Sequence, residues 1–548
     1  MAKALAPGLL SLPWAGKDND DAKTPRCCVS GDFAVSAGSL PAQQEKDVMK
    51  QPTLLDDLLW KRGLDRRLLD ANPWWRDERM FGISAIKRWA YEPTLKSLVR
   101  GLAPVTVLRG PRQVGKTTLL NQVINALLDQ GVNKHRIFRI QFDDIPEMQG
   151  LTSPILELVS WYSDTILKKS VNAFAQEQNG PVYLLLDEVQ NLKDWATQIK
   201  HLVDLQPIRL VVTGSSALRI ESGRDSLAGR IAMIEMGPLL VREVALMRGY
   251  GEVAPFLPYN GLTPLKEKRF WQELKNFGET NRTMRDQAFR DFARFGGYPL
   301  AHKQTDAAWE EIASQLVETV VRRAIQHDLR TGDRGRRRDE SLLEEVFRLS
   351  CRYAGQSPTQ AIYLDEIKRA LNANIGWKRI LEYLKFLDAT LLIRLIEPLE
   401  LRLKRKRGPT KVVLCDHALR AAWLKEVVPL DDADLTDAPH LADLAGRIAE
   451  SVAGHFFKSI INLGVHHFPE RGSEPEVDYV LTIGDQRIPV EIKYRQRVDY
   501  ADTLGLRAFI EKSVYNAPFG VLVTRSDNYV SDDPRIVAIS LPSLLLMR

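Results

Sequence analysis

The feature that most restricts this chain is a strand–loop–helix junction around residue 110. A β-branched run, Val105-Thr106-Val107-Leu108, leads into Gly110-Pro111-Arg112-Gln113-Val114-Gly115-Lys116-Thr117. That segment opens onto the helical pattern TTLLNQVINALLDQG. The spacing satisfies GxxxxGK[ST] in full, in the strand-to-helix setting that gives the pattern its meaning. Glycines let backbone N–H groups approach anionic oxygens, and the following helix points its positive end at them. Residues Gly110 to Thr117, with Thr118, are therefore expected to cradle a nucleoside triphosphate. Lys116 reaches its β- and γ-phosphates, and the Thr117 hydroxyl ligates Mg²⁺. Further strand-like runs follow at 136–144, 181–188 and 209–216, separated by helical stretches. Strands alternating with helices predict a parallel sheet covered on both faces, hence an α/β fold.

The run Tyr183-Leu184-Leu185-Leu186 is apolar throughout, as a doubly buried central strand should be, and it closes on Asp187-Glu188. Asp187 is placed to hold Mg²⁺, and Glu188 to activate the attacking water. The next strand ends in Thr213-Gly214-Ser215-Ser216. Ser215 either orients water near the γ-phosphate or caps a helix in a plain turn. Arg230, and less so Arg224, is either a trans-acting arginine supplied to a neighbouring subunit or an ordinary surface ion pair.

Length and composition bound the rest. The 548 residues correspond to about three or four domains at roughly 150 residues each. With 44% hydrophobic and 27% charged residues, a wholly disordered, collagenous or coiled-coil chain is excluded. No uncharged apolar run reaches the roughly 18 residues that span a bilayer, so no membrane partner is expected. Pro7 and Pro13 break the short N-terminal apolar patch, which makes a poor signal peptide and favours a cytoplasmic location. The four cysteines contain no CxxC pair, so neither a disulfide framework nor a zinc site is indicated. The net charge of +6 permits a polyanionic partner without requiring one.

Residues 1–53 show no steady period and are expected to be a poorly ordered tail. Residues 54–98 read as N-terminal helices, 99–241 as the phosphate-loop domain, and 242–340 as mostly helical. Residues 341–430 hold helices followed by two strand-like runs. The acidic, aperiodic stretch 431–440 reads as a linker, and 441–548 as a last α/β unit.

Within 341–430, the order helix, turn, helix, strand, basic loop, strand is that of a winged helix. Lys378 and Arg379 open its second helix, and Lys404, Arg405, Lys406 and Arg407 form the tip of the wing. The run RGRRR (334–338) adds a second basic loop. These groups either contact a DNA backbone or form a solvated face on a packing module.

The last unit contains EVDYVLTIGDQRIPVEIKYR. Asp478 lies on one strand. Glu491 and Lys493 lie two apart on the next, so both side chains leave the same face. Glu450 lies on the preceding helix. Three carboxylates and a lysine converging at a sheet edge are expected to form a divalent-metal site, with Mg²⁺ held by Asp478 and Glu491. Lys493 then positions or deprotonates a water that attacks a phosphodiester. The alternative is a fold that kept its shape and cuts nothing.

The segments GPRQVGKTTLL, LLLDEVQNLKDW, VVTGSSA, SLAGRIAMIEMGPL and DFARFGGYPLA resemble a family of bacterial and archaeal AAA-type P-loop ATPases. The likeness runs from about Leu54 to the C-terminus. The resemblance implies a helical lid, a winged helix and a C-terminal restriction-endonuclease-like α/β domain of PD-(D/E)xK type after the ATPase domain. It implies ATP and Mg²⁺ as cofactors, ATP hydrolysis, and assembly as a homo-oligomer through the ATPase domain. The expected function is DNA processing in which the ATP state controls a Mg²⁺-dependent nuclease-like domain, with genome defence or repair as the setting. The alternative is a nucleotide-gated DNA- or protein-binding scaffold, or a switch that recruits a protein effector.

Overall fold

The structure, a computed structural model, describes residues 63–144, 151–214, 226–257, 261–303, 307–329, 339–400, 408–470, 472 and 474–548. Several expectations therefore lie outside the described residues: the 1–53 tail, Ser215, Arg224, the 334–338 loop and the wing-tip residues Lys404, Arg405, Lys406 and Arg407.

Five strands, β1 (Val105–Arg109), β2 (Ile137–Gln141), β3 (Val182–Asp187), β4 (Ile208–Gly214) and β5 (Ile231–Glu235), form one sheet in the order β2-β3-β4-β1-β5. Every neighbouring pair is parallel. All residues of β3 are buried, as its unbroken apolar run requires. The helix Lys116–Asp129 packs Leu119, Leu120, Val123, Ile124 and Leu127 on the sheet, the three-and-four spacing of an amphipathic face. Each such side chain contributes roughly 1.5–3 kcal/mol of burial. Because β4 lies between β1 and β3, the phosphate loop and Asp187 are separated by one strand, and the end of β4 sits between them. Strand β5, Ile231–Glu235, is absent from the sequence expectation: IAMIE is a short run of five residues, although Gly229 and Gly237-Pro238 bracket it. On the far edge, Trp74 and Trp75 both donate their indole N–H to the Ile137 carbonyl, each at 3.0 Å, and are buried there.

After the sheet come helices Val241–Arg248, Lys268–Thr280, Arg282–Phe295 and Leu300–Lys303. Helix Trp309–Leu316 continues through a π-helical turn, Val317–Arg322, into Arg323–Leu329. Next are helices Glu340–Arg352, Gln360–Leu371 and Trp377–Ala389. The antiparallel pair β6 (Ile393–Ile396) and β7 (Lys411–Leu414) follows, then helix His417–Leu424.

Residues 431–440 differ from the expected linker. Asp431 caps the helix Asp432–Asp437 by accepting from Ala433 N at 3.1 Å. Arg525 holds that helix, with Nε 2.5 Å from Asp432 Oδ1. The acidic residues that break hydrophobic periodicity are the capping and first-turn groups that favour a helix start.

The C-terminal unit opens with helix Ala442–Lys458. Its sheet is ordered β12-β11-β10-β9-β8, from β8 (Gly464–Phe468), β9 (Val477–Ile483), β10 (Gln486–Lys493), β11 (Gly520–Thr524) and β12 (Ile536–Ser540). β8, β9 and β10 pair antiparallel, and β10, β11 and β12 pair parallel. Helix Leu504–Glu511 connects β10 to β11, and helix Leu541–Leu545 follows β12.

The cores do not follow the segments read from the sequence. One joins the first sheet to side chains between Tyr298 and Ala422. A second joins Val241, Phe270, Trp271, Leu274 and Phe289 to the C-terminal sheet and to Leu541, Leu544 and Leu545. The helical region expected over 242–340 is thus divided between two hydrophobic interiors.

Candidate nucleotide site and carboxylate cluster

Three sheet ends build the first site. Gly110 leaves β1 so close to the neighbouring chain that a Cβ there would stand 2.2 Å from the Met236 carbonyl. Gln113 and Gly115 take left-handed conformations, with φ 64° and 96°, which turn the loop back on itself ahead of the helix. Lys116 Nζ donates to the carbonyls of Gly110 at 2.9 Å and Pro111 at 3.0 Å, and lies 3.7 Å from Glu188 Oε1. The Thr117 hydroxyl donates to Asp187 Oδ2 at 2.8 Å, so the two residues expected to share a magnesium ion are adjacent.

Thr213, at the end of the intervening strand, ties both acids together. Its hydroxyl donates to Asp187 Oδ1 and accepts from the Glu188 backbone N–H at 3.0 Å. Glu188 sits at φ 54° and takes a hydrogen bond from the Gln190 amide. Asp187 is nearly fully buried. Burial pushes its carboxyl above the usual range, hydrogen bonds from Thr213 and Thr117 pull it back, and Glu188 raises it further.

The N-terminal segment before β1 supports the loop, which sequence reasoning missed. Arg88 donates to Val114 O at 2.6 Å, Gly237 O at 3.0 Å and Pro238 O at 2.9 Å. Its Nε pairs with Glu243 Oε1 at 2.9 Å, and both side chains are buried. Burial alone would raise the Glu243 carboxyl, but Arg88 and the backbone N–H groups of Leu240 and Trp89 hold it below the usual range. Gln122 fixes the same segment through Ser84 O (2.7 Å) and Ile86 O (2.9 Å). Arg112 and Thr118 join the loop residues in lining a cleft of about 390 Å³, which Lys303, Thr319 and Arg323 close from the helical side. A triphosphate with its magnesium fits this donor set: a glycine-lined loop, a lysine held by two carbonyls and one acid, and a hydroxyl–carboxylate pair. Arg88, Lys303 and Arg323 belong to no local pattern, so only the tertiary fold identifies them.

Arg230 stands elsewhere. Its backbone oxygen accepts from Val105 N at 3.1 Å, at the start of β1, whereas the phosphate loop follows that strand's end. The five residues of β1 put roughly 13 Å between its two ends. Its guanidinium makes a paired contact with Asp204, 2.6 Å and 3.1 Å. It does not line its own nucleotide cleft.

The second site is at the paired ends of β9 and β10, not at a sheet edge, because β10 is the central strand. Glu450, Asp478, Glu491 and Lys493 do come together. Lys493 Nζ is 2.6 Å from Glu491 Oε1, and Asp478 Oδ2 accepts from Ile492 N at 2.8 Å. A residue from outside the unit enters between them. Lys411, the first residue of β7, pairs with Glu450 and reaches Asp478 Oδ1 at 3.5 Å and Glu476 Oε1 at 3.6 Å. Burial alone would lower its basicity, but Glu450, Asp478 and Glu476 hold the ammonium well above the usual range. Burial, then Asp478, pushes Glu491 to about 8 against the pull of Lys493, and Glu450 well upward against the pull of Lys411. Among the described residues, no three His, Cys, Asp or Glu side chains are arranged to hold a metal ion. In this arrangement Glu450 and Asp478 face the Lys411 ammonium, and Glu491 pairs with Lys493.

Lys378 and Arg379 are exposed at the start of helix Trp377–Ala389, and Arg379 lies over the Tyr383 ring. No helix among the described residues is long and apolar enough to cross a membrane.

Comparison with known proteins matches residues 103–245 to the AAA domain family. Residues 103–245 form an AAA-type P-loop ATPase domain. Residues 286–428 match a domain of unknown function (DUF8612), and residues 445–544 match another (DUF4143). An uncharacterized protein of Methanocaldococcus jannaschii is 24% identical over 332 residues, covering 60% of this chain and 64% of that protein. An uncharacterized protein of Haemophilus influenzae is 23% identical over 224 residues, covering 41% of this chain and 46% of that protein. The chain thus matches less than two thirds of the length of either relative. Among solved structures, a Walker-type ATPase of Pyrococcus abyssi is similar with a TM-score of 0.36 and 16% identity, covering 62% of this chain and 96% of that one. The ATPase domain thus contains the phosphate loop, Asp187, Glu188 and Arg230.

Proposed function

We propose that this chain hydrolyses ATP and processes DNA, with the nucleotide state of the ATPase domain controlling a divalent-cation-dependent nuclease-like centre at Glu450, Asp478, Glu491 and Lys493. The observation that carries the ATPase part is the linked set Thr117–Asp187–Thr213–Glu188 beside Lys116. Lys116 gives up its two carbonyl partners for β- and γ-phosphate oxygens. Thr117 and Asp187 are the residues that would hold magnesium, whose charge offsets that developing on the phosphates. Glu188 takes the proton of the attacking water as the water oxygen bonds to the γ-phosphorus. The β–γ bridging bond breaks, leaving ADP and phosphate. Thr213 keeps both acids in register, and Arg88 fixes the loop carbonyl at Val114. Arg230, remote from its own cleft, acts on a neighbouring subunit's γ-phosphate in a homo-oligomer. Lys378 and Arg379 contact the DNA backbone.

The test has two arms. Lys116→Ala and Glu188→Gln should each lower ATP turnover by about 10²–10³-fold. Plasmid nicking with Mg²⁺ or Mn²⁺ and ATP should be lost in Asp478→Ala, Glu491→Ala and Lys493→Ala while turnover persists. Nicking that survives all three removes the nuclease assignment. A second reading is supported by the ammonium of Lys411 among the carboxylates: a nucleotide-gated scaffold that holds DNA or a protein effector and cuts nothing. Absence of nicking under every nucleotide favours it.

A further inference from the structure

The β6–β7 hairpin carries one charged side chain towards each site. On β6, Arg394 pairs with Glu235 Oε1 at the end of β5. The other oxygen of Glu235 receives Arg109 Nη2 at 2.6 Å and Nε at 2.9 Å. Arg109 is the last residue of β1, directly before Gly110 of the phosphate loop. On β7, Lys411 delivers its ammonium to Glu450 and Asp478, and donates to the Asp478 carbonyl at 3.3 Å. β6 and β7 are hydrogen-bonded in register, with Arg394 opposite Val413 and Ile396 opposite Lys411. A hydrogen-bonded pair of strands therefore joins the strand end beneath the phosphate loop to the carboxylate cluster.

The cluster holds fewer cations than acids, with Lys411 and Lys493 set among Glu450, Glu476, Asp478 and Glu491. Glu491 is 7% exposed, and its Oε2 has no hydrogen-bond partner among the described residues. A buried carboxylate oxygen left in this way is costly unless a cation faces it. Lys411, 1% exposed, supplies positive charge to Glu450 and Asp478 and hydrogen-bonds neither oxygen of Glu491. An ammonium and a hard divalent cation compete for the same oxygen donors; Lys411 as placed reaches Glu450 and Asp478 and not Glu491, whereas a divalent cation takes six or more oxygen donors.

We propose that Lys411 is the built-in occupant of a divalent-cation site formed by Glu450, Asp478 and Glu491, and that the β6–β7 hairpin withdraws it in step with the ATPase domain. The inference rests on the reading of this cluster as a cation-dependent centre and deepens it. The hairpin latches the centre shut, and movement at the Arg109–Glu235–Arg394 end opens it.

The test is Mn²⁺ binding to the full chain without nucleotide, followed by the electron paramagnetic resonance of free Mn²⁺. Lys411→Met, of similar length and no charge, should bind Mn²⁺ at least tenfold more tightly than the native chain, and adding Asp478→Asn should cancel the gain. Lys411→Arg should behave as the native chain. Unchanged or weaker Mn²⁺ binding in Lys411→Met overturns the proposal. A measurement on the native chain covers a variant that does not fold. Saturating Mn²⁺ should speed amide hydrogen exchange across residues 411–414, and unaltered exchange at saturation overturns the latch. Arg394→Met should remove any change in Mn²⁺ affinity caused by a non-hydrolysable ATP analogue; a change of native size in that variant overturns the coupling. Metal binding is read here without cleavage. A chain that takes up Mn²⁺ as described yet nicks no plasmid supports the latch and sinks the nuclease reading.

Discussion

Two buried lysines hold their ammonium groups in opposite ways. Lys116 rests on two backbone carbonyls of its own loop, with one acid at 3.7 Å. Lys411 is gripped by carboxylates from a separate helix and a separate strand. A carbonyl is a weak, neutral partner, so an ammonium held there is ready to exchange it for phosphate. A carboxylate pair in a buried setting neutralises the ammonium, and neither side can leave without a replacement charge. The first ammonium exchanges its partners easily; the second is bound by charge.

The strongest way to break this comparison is to delete each amine. Lys411→Ala should cost about 3–5 kcal/mol of stability, because it strands buried carboxylates, and Mn²⁺ should restore part of the lost melting temperature. Urea unfolding with and without Mn²⁺ checks this; a loss below about 1 kcal/mol would mean the cluster does not depend on Lys411. Arg88→Ala should cost a similar amount, about 3–5 kcal/mol, and also weaken nucleotide binding. Arg88→Lys should rescue little of either loss, since an ammonium cannot match the fork that reaches Glu243 and three carbonyls. Lys116→Ala should instead leave the melting temperature nearly unchanged and lower ATP turnover by about 10²–10³-fold, measured as phosphate release.

A smaller effect is set by pH. Burial holds His302 down at about 4, beside Arg248 and Asp291, and His455 down at about 3, beside Arg394 and Arg548. Both are neutral in the fold and charge more readily once unfolded. Their contribution is complete above the unfolded value of 6.5 and is lost as pH falls from there towards 4 and 3. Each should remove up to about 1.4 kcal/mol per pH unit across that window. Urea midpoints at pH 7.5 and 5 check it, and His302→Asn should flatten the slope. The mildest expectation concerns Arg230. Its pair with Asp204 is largely solvent-exposed, so Arg230→Ala should not move the melting temperature. Turnover should fall, and mixing with Lys116→Ala should recover part of it; a flat mixing curve removes the trans role.

The nucleotide site was legible because its parts are local. Gly110 to Thr117 are consecutive, and Asp187 and Glu188 close a run whose unbroken apolarity announces a central strand. The sheet follows from alternating strand and helix patterns, apart from β5. The carboxylate cluster was half legible: two-residue spacing on β10 puts Glu491 and Lys493 on one face. Lys411 was not, because KVVL reads as an ordinary strand start and nothing local says which unit its side chain enters. Arg88 was hidden in the same way, a lone arginine before a helix whose partners lie 26 to 155 residues away. The acidic helix at 432–437 was missed because periodicity measures burial, and this helix is held by its cap and by Arg525.

The shared interior between residues 241–293 and the C-terminal sheet has a practical consequence. Trp271 is fully enclosed there, Leu257 N–H bonds the Met547 carbonyl at 2.8 Å, and Arg285 reaches Asp527 at 2.8 Å and Ser543 at 2.6 Å. Expressing either half by cutting near residue 440 would expose that face on both fragments. The two units are soldered together rather than strung in series, and melting should proceed in one concerted step.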